Sequence, residues 1–147
     1  MTAAVTAYYS FKEYVADGTF DLNADTFKAA LVSSAYTFNV EHTTWADASA
    51  YEVTNGGYTA GGATLSGVAF GQSSGVATLD ASDTEWTAIG GSIVARRVVI
   101  YKSGTANGRG NPLILSILMD VTPADVVVVA GKTLRIQYSA SGLLSIA

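Results

Sequence analysis

The chain is predicted to be mainly β, an antiparallel β-sandwich or barrel-like domain with one short N-terminal helix and a long loop. Three observations predict this. Short apolar segments rich in Val, Ile, Leu and aromatic residues recur along the 147 residues. Turn signals built on Gly and Asn separate them at spacings of roughly 8 to 12 residues, as in sandwiches and barrels. Longer helical periods do not alternate with the strands, so a parallel sheet with crossover helices is not expected.

Tyr8, Phe11, Tyr14 and Val15 stand at three- and four-residue spacings with Lys12 and Glu13 between them. That pattern suits a short helix with one apolar face over residues 5–15, ended by Asp17-Gly18. Residues 1–18 are therefore read as an N-terminal helix and arm. Residues 20–23 could form a brief strand, and Phe27-Lys28-Ala29-Ala30-Leu31-Val32 looks like a mostly buried one closed by Ser33-Ser34. No period persists through residues 37–57, which are read as a long loop carrying Phe38, Trp45 and Tyr51.

Asn55-Gly56-Gly57 is a strong turn signal, because Asn-Gly accepts the positive φ values of tight turns. Strands are expected over residues 63–70, 76–79, 85–88 and 93–101. A Gly-rich loop over 103–111 leads into another strand at 112–119, and the chain closes with strands at 126–129, 133–138 and 143–146 around a Gly131-Lys132 turn. Strict alternation through 93–102 would put Ile93, Ala95, Arg97, Val99 and Tyr101 on one face and Val94, Arg96, Val98 and Ile100 on the other. Both faces are then largely apolar, which places this strand centrally in a sheet covered on both sides. Adjacent arginines must point opposite ways, so one enters an apolar face and needs a carboxylate. A structural ion pair joining Arg96 or Arg97 to Asp80 or Asp83, with Glu85 also near in sequence, is expected.

Composition narrows the function. Hydrophobic residues make up 49% of the chain and charged residues 14%, against a usual charged share of about 25%. Scarce charge points to association, because contact cores are depleted in charge. A net charge of −4 argues against nucleic acid as a partner, since that affinity comes largely from clustered Lys and Arg. Without cysteine there is no disulfide framework and no thiolate site. The N-terminus lacks a signal-peptide layout, and the longest aliphatic runs fall far short of the roughly 20 residues that span a bilayer. A soluble protein made in the cytoplasm, with no membrane partner, is expected. One domain over 1–147 suffices for a chain of this size.

No motif for catalysis, cofactor or metal survives its context. Gly71-Gln72-Ser73-Ser74-Gly75 matches the Gly-x-Ser-x-Gly of a hydrolase nucleophile elbow, but His42, the sole histidine, precedes it and the strand-helix alternation is missing. A hairpin turn is the better reading. Asp21-Leu22-Asn23-Ala24-Asp25 begins like a calcium loop, yet Thr26 and Val32 stand where glycine and the closing glutamate belong. Gly104 to Gly110 has the wrong spacing for a phosphate loop and is read as a hairpin tip presenting Arg109 to solvent or a partner. Lone His42 cannot make a transition-metal site within one chain. Trp45 is read as a buried anchor for the long loop, with an aromatic hot spot for a partner or sugar ring as the alternative. The candidate partner contacts are His42, Trp45, Tyr51 and Arg109; an enzyme and a cofactor are not expected.

Phe20-Asp21-Leu22, Asp25 to Leu31, Gly57-Tyr58-Thr59-Ala60-Gly61-Gly62-Ala63, Leu79-Asp80-Ala81 with Trp86, Ala95-Arg96 with Ile100-Tyr101, Pro112-Leu113-Ile114 and Gly142-Leu143 together resemble a family of small structural proteins of tailed bacteriophages. The resemblance covers nearly the whole chain, and the Gly-Tyr-Thr-Ala-Gly-Gly-Ala block is its most specific part. Two departures stand out: Arg97 where an aromatic is expected, and Met119-Asp120-Val121 in place of an acidic-aromatic-glycine ending. The resemblance implies a virion component on the capsid exterior, a decoration or cement protein that binds the major capsid protein as a homotrimer or other small homo-oligomer. A tail or fibre component, with Trp45 and Tyr51 stacking on host glycans, is the alternative. Residues 37–55 and the N-terminal segment are the expected attachment elements.

Overall fold

The computed structural model describes residues 3–122 and 124–147. Its strands are β1 (Ala4–Ala7), β2 (Phe27–Val32), β3 (Ala63–Thr64), β4 (Ala69–Ser73), β5 (Val76–Asp80), β6 (Thr84–Thr87) and β7 (Ile93–Ala95). They continue as β8 (Arg97–Lys102), β9 (Thr105–Ala106), β10 (Arg109–Gly110), β11 (Leu113–Leu118), β12 (Val126–Val128), β13 (Thr133–Ile136) and β14 (Leu144–Ile146). The one α-helix among the described residues, α1, spans Tyr9–Ala16. The fold is mainly β and sandwich-like, and among the described residues no sheet closes into a barrel.

A five-stranded sheet in the order β1-β11-β8-β2-β3 forms the middle of the molecule. Every pairing in it is antiparallel. Its central members β2, β8 and β11 are apolar on both sides because both sides are covered. Ala29, Leu31, Val98, Ile100 and Ile117 face the larger core, together with Phe11 and Tyr14 of α1 and residues of the smaller sheets. Ala30, Val32, Val99, Tyr101 and Leu113 face a second core closed by Tyr8, Tyr36, Trp45 and Ala48. Residues 37–57 are thus a covering layer. They carry two short 3-10 turns, Trp45–Asp47 and Ser49–Tyr51, pinned by bridges from Thr44 to Pro112 and from Glu52 to Val32.

The larger core is closed by β14-β5-β4 and by the ribbons β13-β6 and β12-β7. Tight turns make these short pieces. Ser74 and Gly75 join β4 to β5 with φ of 52° and 82°, the double positive φ of a primed hairpin turn. The Gly71 to Gly75 motif is therefore a hairpin.

The strand expected over 93–101 is two strands. Arg96 interrupts it, its N–H bonding to the carbonyl of Val32, and β7 leaves for a ribbon with β12 while β8 stays in the large sheet. The irregular residue slips the alternation by one. Ile93 and Ala95 share the larger core with Val98 and Ile100, whereas Val99 and Tyr101 face the second core. A one-residue bulge between Leu113 and Leu115 does the same to β11.

Three other expectations change. Residues 4–7 are a strand, and the helix starts only at Tyr9. Its end is as read: the N–H of Asp17 bonds to the carbonyl of Glu13, and Gly18 follows at φ 82°. Residues 20–23 are not a strand but lead into a turn over 22–24, where the carboxylate of Asp21 accepts the N–H of Asn23 and that of Asp25 accepts the N–H of Asp21. The span 63–70 divides into β3 and β4, with Gly67 at φ 60° between them. Among the described residues, no helix is long and apolar enough to cross a membrane.

Candidate functional site

The Gly57 to Ala63 block sits on the edge of β2, where β3 pairs with only two residues and leaves the rest to other partners. Tyr58 fills that gap: its hydroxyl accepts the N–H of Leu31 at 3.0 Å and donates to Oε1 of Glu52 at 2.7 Å. The same carboxylate oxygen accepts the N–H of Gly61 at 2.6 Å, and the Tyr101 hydroxyl donates to the carbonyl of Gly61 at 2.6 Å. Gly62 has φ 83°, and a Cβ there would overlap the carbonyl oxygen of Ala29. The block is a clasp that seals a sheet edge, and its glycines let backbone lie on backbone. Burial pushes the Tyr58 phenol well above its ordinary value, helped by its hydrogen bond to Glu52. Burial also pushes the Tyr101 phenol up to about 12.

Trp45 lies against the other side of Tyr101. The two rings stack with centroids 4.9 Å apart and planes 5° apart, and Trp45 is 8% exposed. It is the buried anchor of the covering layer, with one face taken by a phenol ring. Capping contacts set its position: Asp47 accepts the N–H of Thr43 and of Thr44, and Trp45 donates its N–H to the carbonyl of Asn111.

His42 terminates a phenol chain. Its Nδ1 is 2.9 Å from the Tyr36 hydroxyl, which shares a 3.1 Å hydrogen bond with the Tyr8 hydroxyl. Burial raises the pKa of both phenols, and in Tyr8 the bond to Tyr36 adds to the rise. Tyr51 leans on Tyr36 with centroids 5.9 Å apart and remains 41% exposed. Of the four candidate contacts, His42, Trp45 and Tyr51 are gathered in this layer. Arg109 is elsewhere.

Each arginine is held by partners that sequence proximity did not indicate. Arg96 pairs with Asp125 at 2.8 Å, so the expected pairing with Asp80 or Asp83 is corrected. Asp83 instead meets Arg135 across the β6-β13 ribbon at 2.8 Å, with Glu85 at 3.5 Å, and Asp80 accepts the N–H of Ala81. The cause is the register Arg135 to Glu85, which the local sequence cannot reveal. Arg97 has no carboxylate among the described residues within ion-pair distance. Its guanidinium lies 4.4 Å above the ring centre of Phe38 and donates to Ser116 Oγ at 3.3 Å; burial lowers its pKa. Arg109, expected at an exposed hairpin tip, folds back: it meets Asp17 at 2.8 Å, lies 4.0 Å above the Tyr14 ring centre and donates to Thr19 Oγ1.

Asp25, from the abortive calcium motif, pairs with Lys102 at 2.8 Å, and Lys102 also donates to the carbonyl of Thr19. Among the described residues, no group of three or more His, Asp or Glu side chains is placed to hold a metal ion. A different feature went unread in the sequence. A groove of about 500 Å³ opens beside β1, lined by Val5, Ile117 and Met119 on one side and by Leu134, Ile136 and Tyr138 on the other. Its lining takes Val5 from β1 and a consecutive run from Leu134 to Ser139, and no local pattern announces that these two segments face one cavity.

Fold and site together define a sandwich-like β protein whose polar side chains mostly fasten its own layers. No protein-family model, curated protein or solved structure matches the chain.

Proposed function

We propose that this chain is a non-enzymatic structural protein of a tailed-phage virion, a decoration or cement protein bound to the major capsid protein on the outside of the head. The observation that carries the reading is where the reactive and the sticky groups lie. All four arginines and the Tyr58, Tyr101, Tyr8 and Tyr36 hydroxyls are engaged within the chain. Val5, Ile89, Val127 and Val129, by contrast, are more than half exposed. Such a surface works by covering area, at roughly 25 cal/mol per Å² of apolar surface removed from water. It needs no turnover.

The resemblance of the Gly57 to Ala63 block to tailed-phage structural proteins supplies the setting, and the clasp gives that block a structural purpose. A small homo-oligomer suits the low charge. The test is to add the purified chain to expanded heads that lack it, then image them and measure their resistance to heat. Density of the chain on the outer surface and a higher rupture temperature are expected. Bare heads after incubation, or decorated heads with unchanged resistance, would overturn the proposal.

A further inference from the structure

β1 is a free edge of the five-stranded sheet. Among the described residues β1 pairs with β11 alone, in the register Ala4 to Leu118 through Ala7 to Leu115. The N–H of Tyr8 bonds inward to Ile114, so alternation aims those of Thr6 and Ala4 inward too and those of Val5 and Ala7 outward. The next outward position is already used, because the N–H of Tyr9 bonds to the carbonyl of Val40. Val5 and Ala7 thus present backbone groups to which no strand among the described residues is paired.

Natural edges are usually blunted by charge, proline or a bulge. Ala3-Ala4-Val5-Thr6-Ala7 has no charge and no proline, and its pairing with β11 is unbroken. The one charged residue lining the nearby groove, Arg135, is engaged by Asp83 and Glu85, so the groove offers this edge no unpaired cation. A charged partner finds nothing complementary here, whereas an uncharged edge can meet its own copy without opposing like charges.

We infer that β1 is a two-fold pairing edge, joined antiparallel to β1 of a second copy so that the five-stranded sheets of the two chains become continuous. Antiparallel pairing centred on Val5 sets each valine opposite its copy on the same face. That face is the one carrying Ile117 and Met119, so the partner valine covers the mouth of the groove. Val5, 54% exposed in the single chain, is then buried. The inference rests on the association reading proposed above and assigns it a surface, but it does not depend on the capsid.

The test uses the full chain. Solution mass across a dilution series should rise from 15.2 kDa to twice that value with concentration, and the Val5 amide should exchange more slowly with solvent as the mass rises. Val5→Pro removes only an outward N–H, a position where an edge strand tolerates proline, so the variant should keep its circular dichroism and stay at the mass of one chain. Val5→Lys should do the same if the proline variant fails to fold. Val127→Lys, an equally exposed control on β12, should associate normally. A single-chain mass at every concentration, a three-chain mass, or a two-chain mass unaffected by folded Val5→Pro or Val5→Lys overturns the inference, as does fast exchange at Val5 in the associated protein. Monomeric protein that still decorates heads sinks the edge pairing alone; a paired protein that ignores heads sinks the capsid reading alone.

Discussion

Trp45 and Tyr101 are stacked face to face, 4.9 Å apart, across the boundary between the covering layer and the central sheet. One ring belongs to a 3-10 turn and the other to β8. The contact fastens residues 37–57, which carry little hydrogen-bonded regular structure, to the central strand of the five-stranded sheet. Tyr101 also donates to Gly61, so a single phenol joins the covering layer, the sheet and the Gly57 to Ala63 clasp.

Trp45→Ala should therefore cost about 3 to 5 kcal/mol of stability, the range for emptying a large aromatic from a core. Denaturant titration measures it. The loss should be accompanied by new protease cleavage confined to residues 37–57, since the second core loses its largest lid while the first core is untouched. A cost below about 1 kcal/mol, the range of ordinary surface substitutions, would show that the stacking is incidental.

The clasp gives a second comparison. Gly62 and Gly75 both have φ near 83°, and both would be strained by a side chain, but only Gly62 lies against backbone. Gly75→Ala should cost about 1 to 2 kcal/mol, the penalty of left-handed backbone for an L-residue. Gly62→Ala adds a collision with the Ala29 carbonyl and must displace β2 or the clasp, so it should cost clearly more or prevent folding. Thermal unfolding of the two variants side by side checks this, and equal costs would remove the clasp as a packing device.

Much of the architecture was legible because local signals agreed. The strand at Phe27–Val32 has the bounds its mostly apolar run indicated, and Ser74-Gly75 turns where a glycine permits it. The slip at Arg96 was not legible. Residues 93–101 are apolar in both phases of alternation, so a one-residue shift leaves the pattern equally good and only pairing with β2 and β12 decides it. The arginine partners were hidden for a related reason: Arg109 meets Asp17, 92 positions away, and Arg135 meets Asp83, 52 positions away. Nearness in sequence selected the wrong carboxylates. Trp45 was correctly expected to be buried, yet the phenol that buries it lies in another element.

Alkaline pH should loosen the clasp. The Tyr101 phenol is raised from 10.0 to about 12, first by burial and then by the nearby Glu52 carboxylate. In the unfolded chain it ionises near 10, so the folded protein holds the extra proton between these values and stability falls as pH rises. The contribution is complete below pH 10 and is lost as pH climbs through about 12. The phenols of Tyr8 and Tyr58 are raised further and act in the same direction. Following tyrosinate absorbance with pH should show an early phase from exposed phenols and a late cooperative phase coinciding with unfolding. Tyr101→Phe should remove part of the alkaline instability; an unchanged profile would assign it to other phenols.

Acid pH should loosen the corner joining α1 to the β9-β10 hairpin. Asp17 is held below its ordinary 3.8, chiefly by the hydroxyl of Thr19, then by the Thr19 N–H and by Arg109. A depressed carboxyl contributes stability above its unfolded value, and that contribution disappears as pH falls through the lower folded value. Because the hydroxyl is the larger cause, Thr19→Val should raise the Asp17 pKa more than Arg109→Met does. The methionine keeps an aliphatic chain over Tyr14 while removing the charge, and it should free the hairpin tip without unfolding the sheet. Carboxyl titration by NMR in both variants, with amide exchange at Thr105 to Gly110, measures the two effects separately. If Arg109→Met moved Asp17 further than Thr19→Val, the ion pair would be the principal restraint on this corner, and its order would then weaken with added salt.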